Sequence, residues 1–178
     1  MSRYDALCAE LRAEFPRFRV VKKRASRFHR AIHWSLVIVT FGGMRAYLSD
    51  YVTTIGQSVA VPDDWDQESD DERWSTMRHE AVHLRQFRRY TLPGMAFLYL
   101  LIPLPLGLAW FRARLEQEAY AESIRCAFAC RGLAYVKAGP FRDHIIDQFT
   151  GPSYGWMWPF RKSLNRWYDS VVDALARN

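Results

Sequence analysis

The sequence predicts an α+β fold, mostly helical, and three observations predict it. Residues 3–14 and 70–92 carry apolar side chains at helical spacing with no internal Pro or Gly. Residues 115–123 are rich in strong helix formers. The β-branched stretches Val52-Thr53-Thr54-Ile55 and Val59-Ala60-Val61, joined through Gly56-Gln57-Ser58 and ended by Pro62, predict one extended ribbon or hairpin. At 178 residues and 49% hydrophobic content, the chain suits one buried core and is short for two ordinary domains. One domain spanning 1–178 is therefore expected, with an apolar hairpin inserted near 91–111.

The first helix, 3–14, sets Tyr4, Leu7, Leu11 and Phe15 on one face. Phe18-Arg19-Val20-Val21 then reads as a short strand. The run from Ala31 to Phe41 fits either a buried strand or a helix, because periodicity does not separate the two, and Gly42-Gly43 ends it. After the ribbon, Ser69-Asp70-Asp71-Glu72 reads as a capping box: Ser69 accepts from an orphan N–H, Glu72 reaches back, and the acidic first turn suits the positive end of the helix dipole. Arg85, Arg88 and Arg89 gather at the other end, and Leu92-Pro93-Gly94 is expected to stop this helix. Its apolar stripe is Trp74, Met77, Ala81 and Leu84.

From Thr91 to Phe111 the chain carries no charged residue, a length that matches the roughly 20 residues of a bilayer span. Pro93, Pro103 and Pro105 argue for a re-entrant or interfacial hairpin rather than one continuous helix. In that arrangement Arg85, Arg88, Arg89, Arg112 and Arg114 would meet lipid phosphates, with Tyr99, Trp110 and Phe111 near the headgroups. The alternative is an apolar hairpin against the core or a partner. Further on, Phe149 to Phe160 forms a Gly/Pro-punctuated aromatic loop, and 161–176 a closing helix with Leu164, Trp167, Tyr168, Val171 and Leu175 inward.

The segment that carries chemistry is His79-Glu80-Ala81-Val82-His83. On a helix, positions i and i+4 point the same way one turn apart, so two imidazoles can grip one zinc ion while Glu80 stands close enough to take a proton from an activated water. Both histidines lie off the apolar stripe. A catalytic zinc site normally takes three protein ligands, and the nearest downstream supply is Leu115-Glu116-Gln117-Glu118-Ala119-Tyr120-Ala121-Glu122-Ser123.

These two segments together resemble the gluzincin metallopeptidases, including the CAAX-prenyl-type proteases and the ImmA-like group, in which a His-Glu-x-x-His helix is followed by Glu-x-x-Ala-Asp or Glu-x-x-Ala-Asn. They are also similar to small bacterial zincin-like proteins with a Glu-x-Glu-Ala-Tyr stretch. The resemblance covers residues 70–123 and implies a zincin-like fold, zinc as cofactor and a peptide or protein substrate. It places the third ligand on Glu116, with Ala119 at the small position three residues on. Tyr120 stands where those families have Asp or Asn against a ligand histidine, so a phenol would take that role. In the other register Glu118 is the ligand and Glu122 lies behind it. Tyr154 and His144 are further candidates, as donors to an oxyanion.

Net charge is +6, which favours anionic surroundings, but no zinc knuckle, RNA-binding motif or Lys/Arg repeat supports nucleic acid as a partner, and none is expected. Three cysteines, Cys8, Cys126 and Cys130, with no cleavable signal sequence, suit a reducing compartment; the expected location is the cytoplasm, with 91–111 set either at a membrane surface or against the core or a partner. Cys126 and Cys130 are expected to be small buried packing residues. The leading expectation is a zinc-dependent peptidase with Glu80 as general base. The alternative is a non-catalytic, zinc-containing binding protein acting at a membrane or in a protein complex, a role that has no use for an acid at position 80.

Overall fold

The computed structural model describes residues 1–26, 30, 33, 34, 51–96, 109–151 and 157–177. Among these, five α-helices and one three-stranded sheet give an α+β, mostly helical architecture: α1 (Arg3–Glu14), β1 (Arg19–Lys22), β2 (Thr53–Ile55), β3 (Ser58–Val61), a 3-10 turn (Asp63–Gln67), α2 (Asp70–Ala96), α3 (Trp110–Lys137), α4 (Gly139–Thr150) and α5 (Arg161–Arg177). The chain divides into two compact units, Met1–Phe87 and Arg88–Asn178. The Ala31–Phe41 run lies outside the described residues except for His33 and Trp34, as does the middle of the apolar run, 97–108.

In the first unit, β2 and β3 form the expected hairpin, antiparallel with Thr54 opposite Val59. Gly56 turns the chain with φ +61°, a left-handed conformation that other residues adopt only with strain. The sheet order is β1-β3-β2, and β1 pairs with β3 in parallel, Val20 opposite Val59. Register therefore puts Val20, Val59, Val61 and Thr54 on one face. Of these, Val59 and Val61 belong to the buried core, with Val20 packed against it, together with Leu7 and Leu11 of α1, Trp65 of the turn, and Met77, Ala81 and Leu84 of α2.

Helix α1 is tied to α2 at both ends. The backbone N–H groups of Arg3 and Tyr4 donate to Asp70 at 2.9 and 3.3 Å, and Arg85 grips Glu14 through Nε and a terminal nitrogen at 3.2 and 2.8 Å. A hydrogen bond from Ser2, reinforced by those backbone donors, holds the Asp70 carboxyl below the usual range. Arg85 is thus engaged with a carboxylate of its own unit. Leu11 is 1% exposed at the centre of this contact. Leu11→Ala is expected to cost about 2–5 kcal/mol, read as a lower urea midpoint; a loss below about 1 kcal/mol would show that α1 is not part of the core.

The capping box forms as the sequence predicts: Ser69 Oγ accepts from the Glu72 N–H at 3.3 Å, and Glu72 Oε2 accepts from the Ser69 N–H at 3.0 Å. The expected stop at Leu92-Pro93-Gly94 is corrected. The break comes at Thr91 (φ 62°, ψ 168°), and helical structure resumes to Ala96. Pro93 then falls in the first turn of the resumed segment, where a missing N–H removes no hydrogen bond. A β-branched residue at positive φ is a strained position.

The second unit packs α3, α4 and α5 against one another around Ile124, Val136, Ile146, Phe149 and Leu164. Tyr168 of α5 donates from its hydroxyl to the Val136 carbonyl at 2.6 Å. Leu164, Tyr168 and Val172 are buried, with Trp167, Val171 and Leu175 packed against the cluster, so α5 turns its expected face inward. Arg161 pairs with both Asp143 and Asp147 at 2.8 and 2.6 Å. Helix α3 is interrupted at Gly132, whose φ of 78° requires glycine. No helix among the described residues is long and apolar enough to cross a membrane.

Candidate metal centre

Helix α2 carries His79 and Glu80 on its third turn and His83 on its fourth, and all three are buried. The two rings stand 5.0 Å apart between centroids at 70°, the outcome of i and i+4 spacing on a helix. They lie outside the core cluster that Met77, Ala81 and Leu84 join. Their shelter therefore comes from a second buried side of the helix. His83 is oriented by Gln86, one turn on: His83 Nδ1 lies 2.9 Å from Gln86 Oε1. A carbonyl oxygen only accepts, so Nδ1 carries the proton and Nε2 keeps its lone pair for a metal. Gln86 is itself 3% exposed. Gln86→Ala is expected to weaken metal binding about 10- to 100-fold, measured by competition with a chromogenic chelator; unchanged affinity would remove Gln86 from the site.

Glu80 is held from the sheet. Thr54 Oγ1 donates to Glu80 Oε2 at 2.7 Å in a buried contact, as its place on the core-facing side of β2 allows. Lys23, immediately after β1, is wholly buried, and its backbone N–H donates to the Val61 carbonyl at 2.9 Å. Burial pushes its ammonium down to about 8, while the charge of Glu80 acts in the opposite direction.

On α3, Glu116 is 1% exposed, whereas Glu118 is exposed and Glu122 pairs with Arg125 at 3.1 Å. His79, His83 and Glu116 each offer a ligand atom, and these atoms all lie within 4.8 Å of one another. Two donors about 2 Å from a shared ion stand no more than about 4 Å apart, so a nitrogen, nitrogen, oxygen group of this size can close on one ion with small adjustments. Two imidazoles and a carboxylate suit a borderline-soft divalent cation.

The remaining candidates are placed as follows. Tyr120 is buried and packs on Phe149 at 5.3 Å between ring centroids. His144 is exposed on α4. Tyr154 lies outside the described residues. Cys126 is buried as expected, but Cys130 is exposed, which corrects its reading as a packing residue. It sits one turn further along α3, where the helix face turns outward.

Sequence reasoning did not single out Gln86, Thr54 or Lys23. Gln86 carried a usable signal, being three residues beyond a proposed ligand. Comparison with known proteins adds nothing to this assignment: the chain matches no protein-family model, no curated protein and no solved structure.

Proposed function

We propose that the protein is a zinc-dependent metallopeptidase of zincin-like fold, with His79, His83 and Glu116 as metal ligands and Glu80 as general base. The observation that carries this reading is the buried group of two imidazoles and a carboxylate whose ligand atoms lie within 4.8 Å of one another, with Glu80 next in sequence to one of them. His79, His83 and Glu116 would hold a zinc ion that, when bound, would supply Lewis-acid polarisation of a scissile carbonyl and lower the pKa of a water. Glu80 takes the proton of the attacking water and returns it to the leaving amine, which frees the carboxylate for the next cycle. Thr54 donates to Oε2 of that carboxylate and so helps to fix its orientation. His83 is kept in the tautomer that presents Nε2. Peptide bonds fit this set because hydrolysis of an amide needs both an activated water and a proton for a poor leaving group.

In the same reading the apolar run 91–111 is the part that meets a membrane surface, and Leu92, Trp110 and Phe111 are exposed at its described ends. The test is turnover of a mixed peptide library by protein as purified, by protein treated with chelator, and by treated protein given zinc. Cleavage that disappears with chelator and returns with zinc is expected. Cleavage that persists in metal-free protein would overturn the proposal, and absence of cleavage in every form would favour the non-catalytic binding protein.

A further inference from the structure

Two adjoining cavities open on the sheet of the first unit. Register sets Arg19, Ser58 and Ile55 in one cross-strand row, and alternation turns that row to the face opposite Val20, Val59 and Thr54. One cavity, of about 530 Å³, is lined by Arg17, Arg19 and the Gly56-Gln57-Ser58 turn. The other, of about 610 Å³, shares Arg19 and Ser58 and extends over the apolar side chains of Val21 and Ile55. Both volumes suit a small molecule. The polar end offers donors. Gln57 Oε1 accepts from the backbone N–H of Arg17 at 2.9 Å, so the group its side chain has left to offer is the amide NH₂. Ser58 Oγ accepts from Arg19 Nε at 2.8 Å, which ties that guanidinium to the neighbouring strand and leaves its two terminal nitrogens to donate. Lys22, which also lines the second cavity, is already paired with Asp66 at 2.7 Å. Among the described residues, no carboxylate lines either cavity.

We propose that this cleft binds a small organic phosphate monoester, with the phosphate on Arg17, Arg19 and the Gln57-Ser58 turn and the apolar body over Val21 and Ile55. Two guanidinium groups match the roughly −1.5 to −2 charge of a monoester at pH 7, and its three terminal oxygens can take the several donors; a lone carboxylate brings one charge and two oxygens. The site is separate from the proposed peptidase chemistry and does not depend on it. The metal ligands lie on α2 and α3, and Thr54, whose hydroxyl meets Glu80, faces away from the Arg19 row.

The experiment is calorimetric titration of the full chain, as purified and after chelator treatment, with phenyl phosphate, inorganic phosphate and benzoate at low ionic strength. Phenyl phosphate is expected to bind more tightly than either comparator, since inorganic phosphate lacks the apolar body and benzoate the second charge. Arg17→Gln and Arg19→Gln should each weaken it about 10- to 100-fold. Arg19→Lys, which keeps the charge but not the planar fork, should recover only part of that loss. Ile55→Thr, which keeps a β-branched residue in the strand, should narrow the advantage of phenyl phosphate over inorganic phosphate. Arg17 and Arg19 are exposed, so the thermal midpoints of their variants should stay at the wild-type value, which checks that they fold. Binding that ignores both arginine variants and disappears with chelator would place the phosphate at the metal centre and overturn the proposal. Equal affinity for benzoate would overturn the assignment to a phosphate, and wild-type protein that binds no phenyl phosphate would overturn the site itself.

Discussion

Glu80→Gln is expected to leave bound metal unchanged and to lower peptide turnover by about 10³-fold or more. Gln has the size and polarity of Glu and can still accept the Thr54 hydroxyl through its amide oxygen. It cannot accept and return a proton. The ligand atoms belong to other residues, so the metal should stay. The loss should exceed that for a general base acting alone, because water activation is shared between the carboxylate and the ion. Metal content and library turnover on the same preparation check both halves. Equal turnover by Glu80→Gln and wild type would end the assignment of Glu80 as base.

The second large effect concerns the third ligand. Glu116→Ala is expected to reduce metal affinity by more than the about 10- to 100-fold typical of a residue that only orients a ligand, whereas Glu118→Ala should leave it unchanged. The contrast follows from burial: Glu116 is 1% exposed and Glu118 faces solvent on the same helix. The two registers cannot be confused here, because residues two apart on a helix differ by about 200° in direction. Chelator competition on both variants gives the answer. A greater loss from Glu118→Ala would move the ligand to Glu118, with Glu122 behind it.

Local signals in the sequence translated into structure where each element satisfies itself. The capping box of Ser69 and Glu72, the apolar faces of α1 and α5, and the hairpin turned at Gly56 all depend on residues a few positions apart. Features that depend on distant partners were not legible. The parallel pairing of β1 with β3 joins Arg19 to Ser58, and no short-range pattern encodes it. Lys23 shows the same limit, since a lysine after a strand reads as a solvent residue, yet this one is wholly buried. The division at Phe87 and Arg88 falls inside α2, where no Pro, Gly or polar linker marks it. At the site, the histidine spacing was readable because helix geometry alone aligns i with i+4. Gln86 was readable by the same rule, at i+3 from His83. Thr54 was not, because its contact with Glu80 spans 26 residues and depends on which face of β2 turns inward.

The central claim is that this chain holds a transition metal through His79, His83 and Glu116. Elemental analysis of wild-type protein purified without chelator tests it most directly. The account predicts about one zinc per chain, lost for the most part in His79→Ala and in His83→Ala. Wild-type protein that contains no zinc or other transition metal, and takes up none when zinc is supplied, would contradict it.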